Sequence, residues 1–214
     1  RITKGIARYT SNFTPPTEAF PNPVFGQWQG SPPSGYSLGV ANTQLISTWS
    51  NNHGWAVGAS MLPRSQKSYM EFLIDSPKNN SYIFGVSAEL SAGSFDFLGN
   101  DSTNSWGKFF AETSVPQPTG THFTQRYNLT SAKVKVVGIA LDNTPTDGST
   151  KIWFSVDGVW DNEGNPATGA NPAFNNLPYQ DYYFGFSTNT NIVAPVRILG
   201  SRIFPLPAGF TFVY

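Results

Sequence analysis

Residues 151–160 read Lys-Ile-Trp-Phe-Ser-Val-Asp-Gly-Val-Trp, and this decapeptide decides the fold. Its first half is β-branched and aromatic, the composition that suits a pleated surface. Asp157-Gly158 then supplies two residues that tolerate positive φ, the strongest short-range hairpin signal when apolar runs flank it. Upstream, residues 133–141 (Lys-Val-Lys-Val-Val-Gly-Ile-Ala-Leu) form the longest β-branched run of the chain. Residues 67–75 alternate Tyr69, Glu71, Leu73 and Asp75 with Met70, Phe72 and Ile74, the period of two expected of a half-buried strand. Shorter apolar runs follow at 81–87, 182–187 and 196–199, separated by Gly, Pro and Asn. No window carries a capped helical stripe. Strands at intervals of about ten to fifteen residues predict an all-β, antiparallel two-sheet β-sandwich.

Residues 1–35 differ. Proline recurs every few positions, at Pro15-Pro16, Pro21, Pro23 and Pro32-Pro33. Proline lacks the donor that a sheet ladder or helix interior needs, so the stretch is expected to be an extended N-terminal arm. Its aromatics, Tyr9, Phe13, Phe20, Phe25 and Trp28, argue against a solvated linker. They must be buried on the chain's own body or on a neighbour. The expected organisation is an arm over 1–35 and a sandwich over 36–214.

Composition excludes several functions. Of 214 residues, 13 are Lys or Arg and 13 are Asp or Glu, a formal net charge of zero. That leaves no basic reservoir for phosphate backbones, so no nucleic-acid partner is expected. No apolar run approaches the roughly 18 residues of a membrane span, and no basic-plus-apolar leader opens the chain, so no membrane partner is expected. Six Trp, nine Tyr and 17 Phe can build a core, which excludes disorder. With no cysteine, disulfides, thiolate nucleophiles and Cys-based zinc sites are ruled out.

The residues around the hairpin resemble a known family. Residues 138–143 (Gly-Ile-Ala-Leu-Asp-Asn) followed by Phe154-Ser-Val-Asp-Gly-Val-Trp160 are similar to the core signature of SPRY domains, a strand ending in "ALD" and then "FS-x-[ND]-G-V-W". Lys67-Ser-Tyr-Met-Glu71 resembles that family's "GKxYxE" strand, although Ser65-Gln66 stand in place of the usual Gly. Tyr82–Ser87 resembles its "IGVS" strand, and Leu98–Gly107 its "LG-x-D-x-x-SWG" loop. Residues 203–210 resemble its closing "F-x-x-P-x-GF" strand. The likeness runs in family order from about residue 36 to 214. It implies a SPRY, concanavalin-like jelly roll used for binding, with a ligand surface formed by loops at one rim. The insertion at 159–174 is similar to SPRY modules of tailed-bacteriophage and prophage virion proteins, which implies a virion location.

Catalytic signals are sparse. Glu71 and Asp75 lie four apart on one strand face, about 13 Å from each other. Glycoside hydrolysis needs carboxylates about 5–9.5 Å apart, so a solvated face or a salt bridge with Lys67 is expected instead. His53 and His122 are the only histidines, and neither accompanies a nucleophile elbow. No phosphate-cradling glycine loop is present. No enzyme activity and no cofactor are expected. Two oxygen-rich stretches have the residue types of calcium ligands: Asp96, Asn100, Asp101 and Asn104, and the run Asp161, Glu163 and Asn165 after Asp157. Asn and Asp in turns more commonly cap their own backbone.

Trp153, Phe154, Phe72, Phe84, Phe184 and Phe186 lie within strand patterns and are expected in the core. Trp106, Trp160, Tyr179, Tyr36 and Trp49 lie at strand ends or loops, where a flat ring beside amides and carboxylates suits sugar binding. With Asp101 and Asn104 they form the candidate ligand set. Phe13, Phe20, Phe25 and Trp28 form the candidate assembly arm. The expected function is therefore a non-enzymatic virion protein on the outer surface of a phage capsid or tail. It would bind a host-surface glycan or protein, or decorate the particle, in many copies and joined to other virion subunits through its arm. A purely structural decoration or tail component without a receptor is one alternative, and a glycan-cleaving enzyme on the same fold is another.

Overall fold

The computed structural model describes residues 28, 36–39, 44–47, 55–74, 81–89, 98–99, 104–111, 123–128, 135–147, 149–188 and 192–214. Fourteen strands are formed among them: β1 Tyr36–Leu38, β2 Gln44–Ser47, β3 Trp55–Leu62, β4 Lys67–Ile74, β5 Ser81–Ser87, β6 Ser105–Ala111, β7 Phe123–Asn128, β8 Lys135–Asp142, β9 Thr150–Val156, β10 Val159–Trp160, β11 Phe174–Leu177, β12 Tyr182–Ser187, β13 Ile192–Ile198 and β14 Thr211–Phe212. Among the described residues no helix is long and apolar enough to cross a membrane.

The strands build two sheets. One runs β1-β2-β13-β4-β8-β9-β10, with β11 also pairing β9 and β14 also pairing β4; the other runs β3-β12-β5-β6-β7. Pairing is antiparallel except between β6 and β7 and between β14 and β4. The all-β two-sheet sandwich expected from the sequence is the observed fold. Asp157 (φ 49°) and Gly158 (φ 78°) form the tight turn of the β9–β10 hairpin, and Val159 pairs with Val156. Both residues have the positive φ that a two-residue type I′ loop requires.

Inward-facing residues of both sheets form the main core. Met70, Phe72 and Ile74 of β4 and Val137, Ile139 and Leu141 of β8 belong to the same cluster as Tyr82, Phe84 and Val86 of β5 and Phe184 and Phe186 of β12. Trp153 and Phe154 are buried too, on opposite faces of β9.

Strand β4 corrects one expectation. It is buried on both faces rather than half-buried, because the C-terminal segment packs over the outer face of its sheet. There Tyr69, Ala140 and Trp153 pack with Phe210, and Leu73 and Val136 pack with Leu199 and Phe204. Glu71 lies between these patches with no exposed surface. It accepts hydrogen bonds from the Tyr69 hydroxyl (2.8 Å) and from the amides of Ile203 (2.6 Å) and Phe204 (3.0 Å). It is therefore neither on a solvated face nor paired with Lys67, as the sequence suggested; it pins the C-terminal segment. Gly138, opposite Glu71 in β8, leaves the space that the Tyr69 ring occupies.

Trp28 also corrects an expectation. It is 2% exposed and packs within the main core, with its ring 5.9 Å from Phe72 and 6.3 Å from Phe186. At this position the arm contributes to its own sandwich and offers no anchor to a neighbour. Phe13, Phe20 and Phe25 lie outside the described residues.

Candidate functional site

The end of the sandwich where β4 begins and β8 finishes carries a rim of three connections, to which residues 63–66, 143–147 and 178–181 belong. Asn143, directly after β8 and fully buried, ties them together. Its backbone bonds Ser65 and Gln66, its carboxamide nitrogen donates to the Gln180 carbonyl (2.7 Å), and its carboxamide oxygen accepts from the Thr150 hydroxyl (3.0 Å). One amide thus satisfies groups from three segments, an arrangement that fixes loops on a packed scaffold.

The exposed face of the rim is set by Arg64, Ser65, Tyr179 and Asp181. Ser65 adopts φ 65° in the turn after β3, and its hydroxyl lies 2.5 Å from the Tyr179 hydroxyl. The Arg64 guanidinium lies over the Tyr179 ring, 5.9 Å from its centroid. Its Nε lies 3.4 Å from Oδ1 of Asp181, which also accepts the Arg64 backbone amide at 3.0 Å. At the start of β4, Lys67 pairs with Asp142 at 2.8 Å. Burial opposes ionisation of Asp142, but the Lys67 ammonium and the Thr144 hydroxyl and amide hold its carboxyl below the usual range.

A second polar cluster lies between the sheets. Lys108 faces the core from β6, is 2% exposed, and pairs with Asp161 at 2.5 Å. Lys135 pairs with Asp157 at the same distance, and Asp157 also accepts the Val136 amide. Burial pushes the Tyr127 hydroxyl above its ordinary pKa; the Asp157 and Asp161 charges act in the same sense and Lys135 opposes them.

The ligand residues expected from the sequence are not one site. Tyr179 is at the rim. Asn104 lies at the same end of the sandwich, next to β6, and donates to Glu89 at 2.6 Å. Trp106 is a correction: it lies within β6, is 3% exposed, and meets Tyr182 edge-on at 5.8 Å, so it offers no ring to a ligand. Trp160 is half-buried against Tyr69 (6.0 Å) on the outer face of the larger sheet, away from the rim. Tyr36 is described only in its backbone, at the edge strand β1, and Asp101 and Trp49 lie outside the described residues, as do Asp75, Asp96, Asn100, His53 and His122.

The calcium candidates do not converge. Asp161 is engaged by Lys108, Asn165 caps the amides of Ala167 and Thr168 with its own oxygen, and Glu163 points its backbone carbonyl at Asn171. No group of three His, Cys, Asp or Glu able to hold a metal occurs among the described residues.

Sequence reading missed Arg64, Asp181 and Asn143. Only Asn143 carried a signal, since it directly follows the "ALD" strand end. Arg64 and Asp181 are 117 positions apart and share no motif.

Two packed sheets of this topology, closed by a C-terminal segment over β4, define a SPRY-type, concanavalin-like sandwich. Solved structures agree. The SPRY domain of human HERC1 superposes with a TM-score of 0.54 at 16% identity, covering 81% of this chain and 100% of that one. Another human SPRY domain gives 0.50 at 14% identity over 79% of this chain and 100% of that one. The neuralized NHR1 domain of Drosophila melanogaster gives 0.50 at 6% identity, covering 83% and 99%. No family model matches the sequence, and no curated protein matches it.

Proposed function

We propose that the chain is a non-enzymatic binding module whose recognition surface is the rim formed by residues 63–66, 143–147 and 178–181. The observation that carries this reading is the buried Asn143 amide, which holds three loops in one arrangement and leaves Arg64, Tyr179 and Asp181 at the surface. Pre-ordered side chains on a rigid sandwich lose little entropy on binding. The likeness of residues 159–174 to phage-encoded modules supports a place on the outside of a tailed-phage virion. There the rim would face the host and the remaining arm would join neighbouring subunits in a multi-copy array. The neutral charge balance supports contacts made through shape and hydrogen bonds. Glu71, sealed and triply hydrogen-bonded, gives no support to a glycan-cleaving role.

Two measurements test this. Gold-labelled antibody against the chain should decorate intact particles, and the purified chain should bind host cells. Decorated particles without cell binding would favour a structural decoration protein. The absence of both signals would sink both readings.

A further inference from the structure

The rim has a chemistry that names a ligand class. Arg64 has two contacts, its Cζ over the Tyr179 ring at 5.9 Å and its Nε beside Asp181 at 3.4 Å. Among the described residues its two terminal nitrogens have no partner, and neither has Oδ2 of Asp181. A pair of donors therefore lies beside an acceptor. The Arg64 charge is balanced by Asp181, and that of Lys67 by Asp142. An anionic ligand would gain little from such a surface, since each positive charge has its own carboxylate. A neutral ligand with adjacent hydroxyls matches it: one hydroxyl donates to Asp181 and the next accepts from Arg64.

We infer that the rim binds a neutral glycan through a vicinal diol, with Arg64 and Asp181 as the contacting residues and Tyr179 as the residue that positions Arg64. This rests on the binding-module reading above.

The test uses the full chain and host-cell envelopes in three forms: untreated, mildly periodate-oxidised to cleave vicinal diols, and protease-digested. Binding is expected to survive protease and to fall at least tenfold after periodate. Arg64→Ala and Asp181→Ala should each weaken binding to untreated envelopes about tenfold without lowering the melting temperature. Tyr179→Ala should do the same, while Tyr179→Phe, which keeps the ring, should remain close to wild type. Affinity should change less than twofold between low and physiological salt. Binding that resists periodate but is lost to protease, or that collapses with salt, overturns the glycan assignment and leaves the binding module standing. No effect of Arg64→Ala and Asp181→Ala on envelope binding overturns the site. No envelope binding at all removes host recognition, and the glycan inference with it.

Discussion

The carboxamide of Asn143 donates to the carbonyl of Gln180 at 2.7 Å, bridging two loops 37 positions apart from a fully buried site. The loop that carries Tyr179 and Asp181 is thereby fastened to the end of β8 and, through the Asn143 backbone, to the turn that carries Arg64 and Ser65. The ordering of the rim is a property of the core.

Asn143→Ala should accordingly destabilise the fold by about 2–3 kcal/mol, because it strands the Gln180 carbonyl and the Thr150 hydroxyl without buried partners. Urea denaturation measures the loss. Amide exchange of residues 63–66 and 178–181 should rise more than that of β4 or β5; uniform acceleration would show that Asn143 does not hold the rim locally.

Glu71→Gln keeps the side-chain shape but replaces one acceptor oxygen by a donor facing the Ile203 or Phe204 amide. A cost of about 1–3 kcal/mol is expected. The C-terminal segment should become the first site of limited proteolysis, and unchanged cleavage kinetics would contradict the pinning role.

The pair Lys108–Asp161 should behave as a buried pair broken from one side. Lys108→Met alone, or Asp161→Leu alone, should cost about 2–4 kcal/mol, somewhat below the fully buried limit because the Asp161 side chain is 33% exposed. The double variant should recover most of the loss. Additive losses in the cycle would mean the two residues are not coupled.

Stability at acid pH should depend on Asp142. Its folded carboxyl titrates below the ordinary value of 3.8, so its contribution is present above that value and is lost as pH falls through the folded one. Asp142→Asn should flatten the decline of the urea midpoint as pH falls below about 4. Glu71 acts in the opposite sense. Desolvation raises its carboxyl above 4.5, against the bonds from Ile203, Phe204 and Tyr69, so its contribution is fully present below 4.5 and diminishes as pH rises through the folded value.

The turns give a contrasting pair. Gly158→Ala places a Cβ against the Phe204 ring at φ 78° and should cost about 2 kcal/mol or more. Asn162 (φ 55°) and Glu163 (φ 54°) are the central residues of a second tight turn, closed by the Gly164 amide on the Asp161 carbonyl (2.9 Å). Glu163→Gly relieves a left-handed side chain and should add about 0.5–1 kcal/mol, since the strain relieved exceeds the chain entropy lost. Midpoints that move in the same direction for both would refute the strain assignment.

Local chemistry made much of the sandwich legible in advance. Alternation over 67–74, the β-branched run before Asp142 and the Asp-Gly turn each specify their element through neighbours a few residues away, and β4, β8, β9 and β10 follow. Strand β6 reads in part as a loop because Ser105-Trp106-Gly107-Lys108 lacks an apolar alternation; inside the sandwich Lys108 pairs with Asp161, 53 positions away. The same limit hid the covering of β4. Nothing near Glu71 reveals that the amides of Ile203 and Phe204, over 130 positions later, will close on it.

By itself the sequence determined an all-β chain of zero net charge with two sheets, a hairpin at Asp157-Gly158 and a composition unsuited to phosphate backbones, since these follow from side-chain type and spacing of a few residues. Pattern within strands already put Phe72, Phe84, Trp153, Phe154, Phe184 and Phe186 in the core, but only the tertiary structure decided the fate of the aromatics in the arm and at strand ends. It sent Trp106 and Trp28 inward and left Tyr179 at the rim beside Arg64 and Asp181. Burial depends on which sheet face another segment covers, and pairing across 117 positions depends on how the strands order in space, neither of which is written in local pattern.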